Sequence, residues 1–363
     1  MSEIRHNWTK EEILSIYNKP MMELLYEAAT VHRIHHDPNT VQVSTLLSIK
    51  TGGCPEDCGY CPQAARYHTD IEGNDLMSVQ QVKAQALRAK SSGSSRVCMG
   101  AAWRNVKDGP EFDNVLEMVR TINKLDMEVC CTLGMVTENQ AQRLAEAGLY
   151  AYNHNLDTSE DYYKDVISTR AFEDRLDTIS NVRKTNVTVC SGGIIGMGEA
   201  VEDRAGMLVA LATLDPQPES VPINALVAVP GTPMEDIEPI SIWEMIRMVA
   251  TTRIVMPQTQ VRLSAGRTEM SREGQAMCFF AGANSIFAGD KLLTTPNPDV
   301  NEDMKMFELL GLNPQKPFVK KAQPETVEAQ DSQYESLGEK PKWTRPEHKI
   351  ERNEAAKLVA KDK

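Results

Sequence analysis

The sequence has no run of about 18 apolar residues, the length that a membrane-spanning helix requires, although 41% of its 363 residues are hydrophobic. Its opening, MSEIRHNWTKEE, is polar and mixed in charge, unlike the apolar core of a secretory signal. The net charge of −12 argues against a nucleic-acid-binding surface, because such surfaces are basic and clustered. We therefore expect a cytoplasmic globular protein with neither a membrane nor a nucleic acid as partner.

Eight short segments rich in Val, Ile, Thr and Leu predict β-strands, and helical patterns lie between them. The segments span residues 41–53, 94–101, 128–134, 149–158, 187–196, 220–229, 260–267 and 284–290. Strand and helix alternating eight times over roughly 250 residues predict an α/β fold, a (β/α)8 barrel of the TIM type. A doubly wound open sheet is the alternative, and it is less favoured because no dinucleotide-type glycine motif follows the first strand.

Two flanks lie outside the predicted barrel, which we assign to residues 41–320. Residues 1–40 predict N-terminal helices that close the bottom of the barrel or pack beside it. Residues 321–363 are poor in large apolar side chains. We expect them to form a flexible or loosely docked C-terminal tail.

The alternation of side chains along the strands predicts a polar barrel interior, whereas most barrels are filled with Val, Ile and Leu. The inward positions are Arg96, Cys98, Cys130, Asn153, Asn155, Asp157, Cys190, Asn224 and Arg262. His154 has the opposite parity and is predicted to face the helices. Unpaired buried polar groups cost roughly 1–3 kcal/mol each. We therefore favour a large polar ligand in the cavity over the alternative, in which these groups pair only with one another.

Three cysteines with the spacing C-x3-C-x2-C, namely Cys54, Cys58 and Cys61, follow the first strand. Three thiolates on one loop suit three irons of a cubane cluster and leave the fourth iron open to a ligand. The position is also apt, because barrel active sites lie on the loops after the strands. A structural zinc site is the alternative, with His68 as the nearest fourth ligand, but this spacing is not a usual zinc pattern.

A second group of cysteines, Cys98, Cys130 and Cys190, lies on three different strands with inward parity. Arg262 joins them from a fourth strand. A single buried cysteine is usually a small hydrophobic residue, but three that face one cavity predict a metal cluster. Cys131 has the opposite parity, so we expect it, like Cys278, to pack in the core.

Several motifs together resemble known proteins. The cysteine triplet, with Tyr60 before its last member, is similar to the signature of radical S-adenosylmethionine enzymes. From about residue 8 to 314, a more specific set of segments resembles the biotin synthase family: VQVSTLLSIKTGGCPEDCGYCPQ, RVCMGAAW, YNHNLDT, VCSGGIIGMGE, VPINALV, VRLSAGR and GANSIFAGDKLLTTPNP.

The resemblance implies a transferase of biotin biosynthesis. In such an enzyme a [4Fe–4S] cluster on the C-x3-C-x2-C cysteines binds S-adenosylmethionine, and reduction cleaves it to methionine and a 5′-deoxyadenosyl radical. The radical removes hydrogens from two carbons of dethiobiotin. Sulfur from a [2Fe–2S] cluster, held by Cys98, Cys130, Cys190 and Arg262, then closes the ring. The resemblance also implies a homodimer and an electron donor such as flavodoxin.

Further roles are implied residue by residue. Tyr60 and the segment SGGIIGMGE, which contains Ile194, resemble the surroundings of the adenine. Asn155 and Asp157 resemble ribose ligands, and Arg175 resembles the partner of the methionyl carboxylate. The remaining matches are Asn153 and Asn224 for the ureido ring of dethiobiotin, and Thr294 and Thr295 for its carboxylate tail. From the residues alone, Arg175 is equally well interpreted as a surface charge on a helix.

Two alternatives stay open from the residues alone. One is another radical S-adenosylmethionine barrel enzyme, of the methyltransferase-like or hydrogenase-maturation type. The second cysteine group with Arg262 weighs against it. The other is a non-catalytic iron–sulfur protein such as an electron carrier, which has no need of a polar substrate cavity.

Overall fold

A computed structural model describes residues 4–289 and 291–317 of the chain. Within them the strands are β1 (Thr40–Lys50), β2 (Arg96–Ala101), β3 (Glu128–Thr132), β4 (Ala151–Asn153), β5 (Thr188–Cys190), β6 (Gly193–Ile195), β7 (Ser220–Ala225), β8 (Gln260–Leu263), β9 (Ser285–Ala288) and β10 (Asn313–Pro314). The helices are α1 (Lys10–Tyr17), α2 (Met21–His35), α3 (Val79–Ser91), α4 (Pro110–Asn123), α5 (Glu138–Glu146), α6 (Tyr163–Val166), α7 (Phe172–Arg183), α8 (Val201–Ala212), α9 (Ile242–Val255), α10 (Arg272–Phe280) and α11 (Val300–Leu310).

Parallel strands close a barrel in the order β1-β2-β3-β4-β5-β7-β8-β9. Closure is visible at Ser44 of β1, which lies in register with Arg96 on one side and with Phe287 of β9 on the other. Helices follow the strands around the barrel, which confirms the predicted (β/α)8 fold. No helix among the described residues is both long and apolar enough to cross a membrane.

The prediction of one continuous fifth strand over residues 187–196 is wrong. The chain leaves the sheet at Ser191 and Gly192, and β6 resumes beside β7. At Gly192 an added Cβ would lie 2.0 Å from the carbonyl oxygen of Pro222, so only glycine permits this close approach of two backbones. The fourth strand is also shorter than predicted, since β4 ends at Asn153.

The helices α1 and α2 precede the barrel and pack beside its outer helices. Helix α1 begins with a capping box in which Thr9 and Glu12 satisfy each other's backbone amides. At its end, the hydroxyl of Tyr17 donates a 2.8 Å hydrogen bond to Glu244 of α9 and accepts one of 3.0 Å from Arg204 of α8. The domain boundaries stay a prediction, and the tail predicted at 321–363 lies outside the described residues.

The interior of the barrel near the amino-terminal ends of its strands contains a buried ion pair. Arg96 lies one inward position below Cys98, and its guanidinium forms a buried ion pair of 2.7 Å with Glu128. Our expectation that Arg96 faces a ligand is therefore wrong, because its guanidinium pairs with Glu128 of the neighbouring strand and does not border the cavity described below. The ligand-sized space lies nearer the carboxyl ends of the strands.

Candidate functional site

A cavity of about 310 Å³ opens at the carboxyl ends of the barrel strands. It is bordered by every site residue predicted from the sequence except Cys190 and Arg96: Cys54, Cys58, Tyr60, Cys61, Cys98, Cys130, Asn153, Asn155, Asp157, Arg175, Ile194, Asn224, Arg262, Thr294 and Thr295. Its position follows from the fold, since the loops after parallel strands meet at this face of a barrel. The structure thus brings the three loop cysteines and two members of the second group, Cys98 and Cys130, to one cavity.

The cysteine loop after β1 is held by its own backbone. The amide of Cys54 donates a hydrogen bond to the carbonyl of Gln63 at 3.0 Å. The amide of Cys61 donates a hydrogen bond to the carbonyl of Cys58 at 2.9 Å. Gly59 is anchored to the carbonyl of Val166 at 2.9 Å. These contacts fix the spacing of the three thiols without using their sulfur atoms, so all three sulfurs remain for a ligand.

The three thiols of the loop suit an iron–sulfur cluster chemically. Burial, followed by the charge of Asp157, raises the pKa of Cys58 to about 11. Burial, followed by the charge of the neighbouring Cys58, raises the pKa of Cys61 to about 12. A cation reverses such shifts, because a coordinating thiol is deprotonated. In a cluster each thiolate binds a different iron, so the three sulfurs need not converge on a single point.

The second cysteine group lies deeper, on adjacent strands. Cys98 and Cys130 are partners in register between β2 and β3, and they share a small buried cluster with Ala151, Phe287 and Leu292. Cys131 instead belongs to the main core on the helix-facing side, as its parity predicts. The two faces of β3 therefore separate one cysteine that borders the cavity from one that packs against helices.

Electrostatics favour a thiolate in this second group. Burial opposes the charged form of Cys98, but the hydrogen bond with Cys130 and the charges of Arg262 and Arg96 outweigh it and lower the pKa of Cys98. The same hydrogen bond, together with burial, raises the pKa of Cys130. Of the two thiols, Cys98 therefore loses its proton more easily than Cys130. A bound cation would displace the remaining proton.

Arg262 is held beside Cys190 by a fixed set of partners. Its Nε donates to Oγ of Ser285 at 2.9 Å, and its Nη2 donates to Oε1 of Gln42 at 3.0 Å. Its Nη1 faces Sγ of Cys190 at 3.6 Å. Cys190 thus lies behind the wall of the cavity but in contact with a residue that borders it. Sequence analysis missed Gln42 and Ser285, although both are polar residues of predicted strands.

The segment after β4 is tied to the cysteine loop and to α7. The carboxylate of Asp157, a non-glycine residue at φ 69°, accepts a 2.8 Å hydrogen bond from the hydroxyl of Tyr60 and pairs with Arg175. Arg175 also donates to the hydroxyl of Tyr163 and to the carbonyl of Asn155, each at 2.8 Å. Arg175 is buried, so the alternative of a surface charge is wrong. His154, predicted to face the helices, borders the cavity as well because β4 has already ended.

Amide and hydroxyl groups border the other side of the cavity. Nδ2 of Asn153 donates to Oγ1 of Thr132 at 3.1 Å. Asn224 donates to the carbonyl of Gly193 at 2.9 Å and accepts from the amide of Ala265 at 3.1 Å, which fixes the orientation of its amide. Each of these two amides keeps one N–H and at least one lone pair for a ligand. Ile194 stands beside Asn224 in register.

Comparisons with known proteins agree with this geometry. The model of the Radical SAM superfamily matches residues 48–211, and that of the Biotin and Thiamin Synthesis associated domain matches residues 222–313. The biotin synthase of Flavobacterium psychrophilum is 86% identical over 353 residues, covering 97% of this chain and 98% of that protein. The biotin synthase of Nostoc punctiforme is 58% identical over 321 residues, covering 87% of this chain and 96% of that protein.

Solved structures with much lower identity share the fold. Methylornithine synthase superposes with a TM-score of 0.71 at 17% identity, covering 85% of this chain and 94% of that chain. A maturase of the [FeFe]-hydrogenase gives a TM-score of 0.72 at 17% identity, covering 85% of this chain and 72% of that chain. The barrel alone therefore does not identify the family. The high sequence identity to the curated relatives does. On that similarity over nearly its whole length, the chain belongs to the biotin synthase family.

Proposed function

We propose that this cavity is where sulfur is inserted into dethiobiotin to form biotin, with S-adenosylmethionine as the source of the radical. The observation that carries the proposal is the presence, around one cavity, of two separate thiol groups, one on a loop and one on the barrel strands beside a buried guanidinium. Membership of the biotin synthase family makes the chain a radical S-adenosylmethionine enzyme. The assignment of individual residues below is our proposal.

Cys54, Cys58 and Cys61 are the proposed ligands of a [4Fe–4S] cluster, and Cys98, Cys130, Cys190 and Arg262 those of a [2Fe–2S] cluster. When bound, the first cluster supplies the electron that cleaves the sulfonium of S-adenosylmethionine, and the second supplies the sulfur atom. The protein contributes the fixed spacing of the loop thiols and a guanidinium that offsets negative charge beside Cys190.

The proposed site for S-adenosylmethionine lies beside the cysteine loop. Asp157 and Asn155 offer acceptors for ribose hydroxyls. Tyr60 and Ile194 offer an aromatic ring and an aliphatic side chain for the adenine. Arg175 contributes charge near the methionyl carboxylate, although three of its nitrogens are already engaged by the protein.

The proposed site for dethiobiotin uses neutral polar groups. A ureido ring offers two N–H donors and one carbonyl acceptor, which match the remaining amide groups of Asn153 and Asn224. Thr294 and Thr295 border the same cavity, and their hydroxyls are suited to donate to a carboxylate tail. The enclosed barrel would keep water from a reactive radical.

Three further features are proposed for the protein in its cell. Its eight cysteines are all free thiols, which supports a reducing cytoplasm. A homodimer and an electron donor such as flavodoxin are proposed from the family resemblance. Analytical ultracentrifugation and reduction by purified flavodoxin test these two proposals directly.

The experiment for the function is anaerobic reconstitution with iron and sulfide, followed by incubation with dethiobiotin, S-adenosylmethionine and a reductant. We expect biotin and 5′-deoxyadenosine to form together, and Mössbauer spectroscopy to show two cluster types. Formation of 5′-deoxyadenosine without biotin would favour another radical reaction. Absence of both products from a protein that carries both clusters would favour an electron carrier.

A further inference from the structure

A tight turn of residues 291–296 carries Thr294 and Thr295, the proposed partners of the substrate carboxylate. The first and last residues of this turn are joined by an antiparallel bridge. Just after it, the buried side chain of Asn297 donates a 2.9 Å hydrogen bond to the carbonyl of Phe287 in β9. The 291–296 turn is therefore closed on itself and tied to the barrel.

Leu293 of the 291–296 turn rests on β2 at Gly100. A Cβ added to Gly100 would lie 2.6 Å from Cδ2 and 3.2 Å from Cδ1 of Leu293, so the leucine fills the space that a side chain at Gly100 would need. Gly100 lies two positions beyond Cys98 on β2, hence on the inner face of the barrel. Its φ is not in the left-handed region, so the backbone does not require glycine. Glycine within a strand often marks a close approach of another group, and here that group is Leu293.

The contact between Leu293 and Gly100 connects the two polar ends of the proposed dethiobiotin site. Gly100 lies in register with Thr132 of β3, and Oγ1 of Thr132 accepts a 3.1 Å hydrogen bond from Asn153. Asn153 is a proposed partner of the ureido ring, whereas Leu293 directly precedes Thr294. The separation of the ureido partner from the carboxylate partners therefore depends on how Leu293 sits on Gly100.

We propose that Leu293, seated on Gly100, selects the length of the carbon chain that joins the ureido ring to the carboxylate of the substrate. A saturated chain has no group that forms hydrogen bonds, so a pocket recognises it by length and shape. Leu293 borders the cavity together with Leu46 and Leu292, which gives the chain an apolar wall. One methylene group more or less changes the preference of such a pocket by about 10–200-fold. The inference rests on the proposed function of the cavity.

The test is a competition between dethiobiotin and a homologue whose acid chain is one methylene group longer. The cluster-loaded protein receives both at equal concentration with S-adenosylmethionine and a reductant, and mass spectrometry measures the ratio of the two sulfur-containing products. This ratio reports the relative kcat/KM and does not depend on the fraction of active protein.

We expect the parent to prefer dethiobiotin by about 10–200-fold. Leu293→Ala should reduce this preference by roughly tenfold, because the emptied space on Gly100 takes up the extra methylene group. A product ratio that is the same in Leu293→Ala and the parent would overturn the proposal, as would a parent that converts both substrates equally well.

A second substitution tests the contact itself. Gly100→Ala added to Leu293→Ala partly refills the space with a methyl group and should restore part of the preference for dethiobiotin. Gly100→Ala alone should lower the yield of biotin, because the new methyl group meets Leu293, and this loss should disappear when residue 293 is alanine. Additive effects of the two substitutions would contradict the contact and overturn the proposal.

Leu292→Ala is the matched control, because Leu292 lies in the same turn but belongs to the small buried cluster of Cys98 and Cys130. An equal change of the product ratio in Leu292→Ala would show a general loosening of the turn and refute a specific role of Leu293. Should Leu293→Ala fail to load iron, Leu293→Val decides by the same competition, with a smaller shift in the same direction. A parent protein that carries both clusters but forms neither product would instead refute the proposed function.

Discussion

The hydroxyl of Tyr60 donates a 2.8 Å hydrogen bond to the carboxylate of Asp157, and this bond joins the cysteine loop to the chain after β4. Tyr60 lies between Cys58 and Cys61, so the bond sets the position of the loop relative to the barrel. Asp157 in turn is held by the buried Arg175. One carboxylate thereby links the proposed cluster loop, the proposed ribose site and helix α7.

Tyr60→Phe removes this link while keeping the aromatic ring. We expect the free energy of unfolding of the protein without clusters to fall by about 1 kcal/mol, the typical value of one hydrogen bond, or more because the acceptor is charged. Urea denaturation measures the change. The matched control is Tyr26→Phe, whose side chain is 72% exposed and whose substitution should change stability by less than about 0.5 kcal/mol. Equal stability of Tyr60→Phe and the parent would show that the link carries no net energy.

Cys58→Ala should abolish cleavage of S-adenosylmethionine, because two thiolates do not hold a cluster with one open iron. The measurement is 5′-deoxyadenosine formed per chain after anaerobic reconstitution. Cys278→Ala is the control, since Cys278 is buried in the main core within α10 and should affect packing alone. Normal cleavage by Cys58→Ala would refute the assignment of the loop.

Cys130 and Cys131 are adjacent in sequence but belong to different parts of the barrel. Cys130→Ser should lose the [2Fe–2S] absorption and biotin formation, because it removes a thiol that faces Cys98. Cys131→Ala should keep both and lose only packing, since its side chain lies in the helix-facing core. The visible spectrum and the iron content of the two variants decide. Equal loss in both would contradict the division of β3 into a cavity face and a core face.

The acid sensitivity of the folded protein is also measurable, and a buried histidine of α2 contributes to it. Burial, followed by the charges of Arg253 and Arg33, lowers the pKa of His32 from 6.5 to about 2. The folded protein thus keeps His32 neutral, whereas the unfolded chain takes up a proton below about pH 6.5. Stability from this residue is therefore complete above pH 6.5 and falls with decreasing pH, by up to about 1.4 kcal/mol per pH unit.

His32→Leu should reduce this pH dependence. Urea denaturation of the protein without clusters, between about pH 7.5 and pH 5.5, compares the slopes of parent and variant. The variant's free energy of unfolding should decline less steeply in the acidic half of this range. A slope identical to the parent's would show that other groups govern the acid sensitivity.

Two patterns in the sequence were clear enough to predict the barrel and the grouping of its site residues. One is the alternation of strands and helices along the chain, and the other is the alternation of side chains along each strand. Alternation along β2, β3 and β8 placed Cys98, Cys130 and Arg262 on one side and Cys131 on the other. Prediction failed where an interaction between distant segments decides the structure. The break between β5 and β6 depends on the approach of Gly192 to Pro222, which lies on another strand.

Pairing between strands was the second source of error. Arg96 was expected to face a ligand, yet its guanidinium forms an ion pair with Glu128 on the next strand. Parity assigns a side chain to a face but does not identify its partner across the barrel. For the same reason the partners of Arg262, Gln42 and Ser285 were not found, because their contact depends on the register of β1, β8 and β9.

The final prediction concerns the role of Arg262 at the second cysteine group. Guanidinium groups remain protonated in proteins and are rarely metal ligands. The family resemblance nevertheless implies that Arg262 contacts iron. Its contacts with Ser285 and Gln42 hold the guanidinium in place independently of the cysteines. These contacts are what a positioned charge beside negative thiolates and sulfides requires.

The two roles predict different outcomes for Arg262→Met. If direct ligation is essential, the variant should fail to assemble the [2Fe–2S] cluster. If the role is mainly to position a charge, the cluster should form with a shifted visible spectrum and keep part of its activity, because three thiolates within an enclosing barrel already define the site. We expect the second outcome. The test is the iron and sulfide content per chain of Arg262→Met, measured beside the parent and beside Arg262→Lys. Complete loss of the second cluster in Arg262→Met would prove this expectation wrong. Retention of the parent's spectrum in Arg262→Lys alone would show that the positive charge is what the site needs.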